Sequence, residues 1–287
     1  MEIRKLQIVG NRSYSISLPK GWVLQNNLKP KDNIYISEEA NNTLCITASE
    51  GTQENHNYTF KLDNISHVKE FVRFCYEKNI KNIRFFWDTH QPKKINAVKD
   101  ILRYLDGYDL VQEGEGFLEI AFLFNEFNIT LNKLLNRTIY LLTTQFESIM
   151  NGSEEDIREN EISIDKIYLL AKRIIFASIR NQKLRTENKI TYDEEIFSYK
   201  NIFKKLENIA DVLYEMRDKK FNEKDMAKLK QVVEHLKTTI VKRKIPESES
   251  IFSKDPLTDF FFHRINSLKE DIEQEIRTMD FIHTYFT

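Results

Sequence analysis

Residues 161–173 read EISIDKIYLLAKR, and their spacing decides the class of the second half of the chain. Ile157, Ile164 and Tyr168 recur at the three- and four-residue steps of one helix face. Glu161 falls in the same register and interrupts that apolar stripe, with Asp165 one turn later on the same side. Residues 203–216, FKKLENIADVLYEM, repeat the anomaly: Glu207 sits between Phe203 and Ala210, and Asp211 follows at i+4. Two like charges at that spacing repel by about 0.2–0.5 kcal/mol on an exposed helix. At a packed interface the desolvation cost is larger unless a cation intervenes. If the two helices are neighbours, Glu161, Asp165, Glu207 and Asp211 converge. Such a set can hold a divalent metal, or an iron or zinc cluster, through oxygen ligands. The other reading is equally physical: the acids lie at the edge of the stripe, solvated or paired with Lys166, Arg173 or Lys205. A di-iron oxidase site wants Glu-x-x-His on two helices. The nearest approach is a single Asp280-Phe281-Ile282-His283.

Outward from these stretches, helical spacing continues through residues 134–150, 164–179, 196–216, 226–241 and 260–286. Asn151-Gly152-Ser153 separates the first two helices, and Pro246 and Pro256 bracket the loop before the last. Long helices joined by short loops predict an antiparallel bundle over 126–287. Residues 51–125 differ. Strands are expected at 58–62, 83–87, 108–114 and 116–124, with helices at about 65–78 and 94–105, a small α/β domain with helices on one face. Residues 1–50 read as short strands at 3–10, 14–18, 33–37 and 43–47, with a helical turn opened by Pro19. Strands so short cannot bury both faces alone, so this domain needs a partner chain. The fold class is α+β multidomain.

Charge is segregated along the 287 residues. Lys and Arg number 43 against 44 Asp and Glu, yet residues 1–31 carry six basic residues and one acid, a net +5 that leaves −6 for the rest. No apolar run approaches the roughly 20 residues that cross a bilayer, so no membrane insertion is expected. The N-terminus lacks the apolar core of a signal peptide. Cys45 and Cys75 are too few and too far apart for a metal spacing and suit a reducing compartment. The expected localisation is cytoplasmic. No phosphate-binding Gly-rich loop, His-Glu-x-x-His or nucleophile elbow occurs, and Gly114-Glu115-Gly116 lacks the third glycine of a dinucleotide fingerprint. An enzyme is not expected.

Two family resemblances bear on these readings. EISIDKIYLLAKR resembles the second helix of PhoU-like phosphate-uptake regulators of the archaeal type, in which an acid-x-x-x-Asp motif opens the helix. KKLENIADVLYEM is similar to that family's third helix, with Asn208 where an Arg is usual. The likeness covers roughly 126–220 and implies a metal site at Glu161, Asp165, Glu207 and Asp211. The family often carries two such sets. Here Asp255-Pro256-Leu257-Thr258-Asp259 has the spacing, but its proline marks a helix start.

Residues 3–48 resemble the swapped-hairpin DNA-binding domain of AbrB/SpoVT-like transcription factors. The run RKLQIVGNRSYSISLPKGWVLQNNLKPKDNIYI carries that domain's order of elements, with Lys31 where Gly is usual before Asp32. The resemblance implies a homodimer in which hairpins of two chains interlock into one β-barrel with a basic, DNA-facing surface. Arg4, Lys5, Arg12 and Lys20 are then the expected phosphate contacts, with Asn11 and Ser13 beside them. Together the two likenesses imply a phosphate-responsive transcriptional regulator. The alternative is an interaction protein that docks its bundle on a phosphate-transporter ATPase or a sensor kinase and uses the N-terminus only to dimerise.

Overall fold

The computed structural model describes residues 3–10, 13–39, 43–48, 57–219, 221–247 and 249–286. The chain divides into two compact units, Met1–Asn55 and His56–Thr287.

In the first unit, β1 (Gln7–Val9) pairs antiparallel with β2 (Ser13–Ser15), Gln7 opposite Ser15 and Val9 opposite Ser13. Pro19 caps the short helix α1 (Lys20–Gln25). The turn that follows is closed by the Lys29 amide, which donates to Asp32 Oδ2 at 2.7 Å. Lys31 holds φ +82° there. That left-handed conformation is one a glycine adopts without strain and a lysine does not. A second hairpin joins β3 (Tyr35–Glu39) to β4 (Thr43–Thr47), Tyr35 opposite Thr47. The two hairpins form separate two-stranded sheets, and among the described residues no closed barrel forms. None of the described side chains in this unit is buried. Ile8, Val9, Ile36 and Leu44 are each more than half exposed.

The second unit opens with β5 (Asn57–Lys61), α2 (Val68–Glu77), β6 (Asn82–Phe86), α3 (Pro92–Leu102), β7 (Tyr108–Gly114) and β8 (Phe117–Phe122). Their sheet has the order β5-β6-β8-β7, with β5 parallel to β6 and the other pairs antiparallel. Burial alternates along the central strands: Ile83 and Phe85 of β6 and Leu118 and Ile120 of β8 are buried, whereas Arg84 is exposed. The buried face meets Val72 and Tyr76 of α2 and Val98 of α3 in one apolar core. On the other face Arg84 pairs with Glu119 at 3.0 Å.

The helices α4 (Leu131–Asn151), α5 (Glu154–Ser178), α6 (Gln182–Glu187), α7 (Asp193–Glu215), α8 (Glu223–Lys242) and α9 (Pro256–Tyr285) follow. Side chains of Thr130, Asn181, Asn222 and Asp255 cap four of them, and Gly152 at φ +68° ends α4. The six-residue α6 lies between two expected helices and is too short to show periodicity in the sequence.

Helix directions follow from the bridges. Glu215 meets Arg264, Asn201 meets Glu275 and Glu195 meets His283, so α7 and α9 are antiparallel. Lys219 meets Thr258, His235 meets Glu273 and Arg243 meets Met279, so α8 and α9 run in the same direction. This departs from a purely antiparallel bundle. The chain between α8 and α9 returns along their groove as an extended strap, held where Ile251 exchanges both backbone hydrogen bonds with the Asn266 side chain.

The sheet and the helices share one core. Arg173 of α5 is fully buried and joins them: it donates to the Tyr76 and Ile80 carbonyls at 2.8 and 3.1 Å and to Glu126 at 3.2 Å. Its guanidinium also stands 3.8 Å from the Phe122 ring centre. Lys172–Glu77 and Lys166–Asp106 bridge the same joint nearer solvent.

Candidate metal centre

The first half of α5 lies against the second half of α7, because the short α5–α7 connection reverses the chain. The apolar stripes that make this contact, Ile157 and Ile164 on α5 and Phe203 and Ala210 on α7, are buried. The interrupting acids therefore stand at its edge, half-buried rather than solvated. Ligand oxygens of Glu161, Asp165 and Asp211 all lie within 4.8 Å of one another. Oxygens bound to one hard cation at about 2.0–2.6 Å are separated by no more than about twice that length, so the spacing suits a single ion. The donors are carboxylate oxygens without Cys or His, a set that favours magnesium, manganese or calcium over zinc.

Glu207 is placed beside the trio and is held by Lys204, its neighbour one turn back. Of the cations considered from sequence, none pairs with these acids: Lys166 goes to Asp106, Arg173 to Glu126 and Lys205 to Asp271. Lys204 was the cation to look for, since i,i+3 places it on Glu207 locally. Arg264, beyond Asp211, is engaged bidentately by Glu215.

The electrostatics are those of an under-compensated acidic pocket. Burial, then the charges of Glu161, Glu207 and Asp211, push Asp165 up to about 7, against the opposing pull of Lys204. Glu161 is raised by burial and by Asp211 and Glu207. Asp211 and Glu207 are raised chiefly by burial. A bound dication would reverse every one of these shifts. Either protons or a cation would relieve such a pocket.

The remaining expected sites are placed as follows. Asp255 caps α9, accepting from the Thr258 amide at 2.8 Å, and its partner Lys219 is 2.8 Å away. His283 Nε2 lies 2.8 Å from Glu195 Oε1, tying the end of α9 to the start of α7. Arg4 and Lys5 precede β1, Ser13 opens β2 and Lys20 opens α1, all exposed. Asn11 and Arg12 lie outside the described residues. No protein-family model, no curated protein and no solved structure matches the chain. Among the described residues no helix is long and apolar enough to cross a membrane.

Proposed function

We propose that this chain is a phosphate-responsive transcriptional regulator in which a PhoU-like bundle senses a divalent cation and an AbrB-like N-terminal dimer binds DNA. The observation that carries the reading is the convergence of Glu161, Asp165 and Asp211 from two helices onto one ion-sized space, in a chain whose first 31 residues carry a net +5. The second support is the N-terminal unit itself. It exposes Arg4, Lys5 and Lys20 together with an apolar surface that a second chain would cover.

Promoter DNA from phosphate-transport genes, titrated at two salt concentrations with and without a chelator, tests this. If about six or more phosphates are neutralised by the dimer, affinity falls at least about 10³-fold between about 50 and 200 mM salt. An Arg4/Lys5/Arg12 triple-alanine variant then loses binding. Salt-independent or absent binding by the wild-type chain ends the DNA-binding reading. It would leave the bundle as a docking module for a transporter ATPase or sensor kinase.

A further inference from the structure

The helical bundle is charge-polarised along its length. Asn188 Oδ1 accepts from the Leu131 amide at 2.7 Å, and Arg185 of α6 pairs with Asp193 at 2.6 Å. Arg243 donates to Tyr199 Oη at 3.1 Å and meets Met279 Sδ at 3.4 Å. These contacts bring the starts of α4 and α7 and the ends of α5, α8 and α9 to the same end of the bundle as α6. At that end, residues 131–137, 172–201, 236–245 and 275–286 hold 14 Lys and Arg against six Asp and Glu. The rest of residues 131–286 holds 13 against 21, with Glu161, Asp165 and Asp211 among the acids.

Some of this positive charge is used inside the protein, where Lys172, Arg173 and Arg185 are ion-paired. Much of it is not. Arg137, Arg180, Lys189, Lys200, Lys242 and Lys244 are exposed, and among the described residues no carboxylate pairs with them. Apolar side chains stand at the same end. Ile179 at the close of α5 is 51% exposed, Phe197 of α7 is 64%, and Phe281 and Tyr285 of α9 are 58% and 76%. The Phe281 and Tyr285 rings are 6.2 Å apart, and the Glu195–His283 contact sets Phe197 at their level. Free cations alone would suit any polyanion. Exposed Phe and Ile add area that a nucleic-acid backbone does not cover. A bilayer interface does, because rings settle among the headgroups while Lys and Arg reach the lipid phosphates.

We propose that this basic, aromatic end of the bundle docks on the surface of a bilayer rich in anionic phospholipid, with no helix crossing it. The same surface repels the acidic end, so the polarity orients the bundle with the α5 and α7 carboxylates away from the lipid. The site does not depend on the metal or DNA reading.

Co-sedimentation of the full chain with vesicles tests this, in the Arg4/Lys5/Arg12 triple-alanine background so that the basic N-terminus does not contribute. Vesicles of equal parts phosphatidylserine and phosphatidylcholine should bind the chain, more weakly as salt rises, and pure phosphatidylcholine at least about ten-fold less. Lys242→Glu with Lys244→Glu should weaken binding at least about ten-fold, since each basic residue near such a surface is worth about five-fold. Lys224→Glu with Lys230→Glu makes the same charge change at exposed positions in the first half of α8, and should leave binding within about two-fold. Phe197→Ser with Phe281→Ser should weaken it several-fold and keep its salt dependence. The two lysine pairs decide the matter if the aromatic variant does not fold. No binding to the anionic vesicles, equal binding to the neutral ones, equal effects of the two lysine pairs, or undiminished binding by a folded aromatic variant overturns the proposal. So does a Lys242/Lys244 variant that loses duplex DNA and keeps the vesicles, which would assign this end to nucleic acid.

Discussion

Arg173 is an ionised side chain with no exposure, and its surroundings account for that. Two carbonyls, the Glu126 carboxylate and the Phe122 ring face replace the water it has lost. Removing it takes from the buried Glu126 its guanidinium partner, while Lys81 stays 3.7 Å away. Arg173→Met should therefore cost about 3 kcal/mol, and adding Glu126→Gln should restore most of it. Urea unfolding of the single and double variants measures this, and a double variant no better than the single would remove the ion pair from the explanation. Asp165 behaves in the opposite sense. In the native state its raised value, about 7, keeps a proton that the unfolded chain releases at about 3.9. The stability of chelator-treated protein accordingly falls as pH rises from about 4 through 7. Asp165→Asn should flatten that slope and add about 1–2 kcal/mol near pH 8 after allowance for screening. Unfolding midpoints near pH 5.5 and 8 test the sign, and an unchanged slope in the variant would refute it. The acids were visible in the sequence because they break an apolar stripe. The fate of Arg173 was not. It stands eight residues, about 12 Å, beyond Asp165 along α5, and it turns to a sheet whose packing no local pattern records.

At the scale of elements, alternation and three-to-four spacing found every strand and every long helix among the described residues. These periodicities are what burial on one face requires. They say nothing about the direction in which separated helices dock. The strap lies along α8 and α9, and its holds include buried Asn266, which reads both backbone groups of Ile251, and buried Asp225, which accepts from the Ser253 hydroxyl at 2.8 Å. Asn266→Ala leaves those groups without partners and should cost about 2 kcal/mol. Limited proteolysis should then cut within residues 244–250 sooner than in wild type. Equal cleavage of the two would mean the strap is held by its other contacts, such as Ser253 on Asp225, instead.

For the whole molecule, the distribution of core is the dominant fact. Among the described residues, every buried apolar side chain belongs to the unit His56–Thr287. In the first unit Ile8 and Ile36 are 72% and 61% exposed. Sedimentation should find a dimer, and Ile8→Asp with Ile36→Asp should give monomers that keep the helical signal but lose DNA binding. A wild-type monomer at micromolar concentration would refute the pairing. The sequence carried the same expectation, because strands as short as those expected within residues 1–50 cannot bury both faces by themselves.

If the first unit gains its interior by meeting another copy, as proposed, its folding equilibrium is of second order. Its competent fraction rises with abundance, and halving the number of chains in the cell removes more than half of the working ones. On that proposal, expression level would itself be an input to the protein, acting before any ion reaches the bundle.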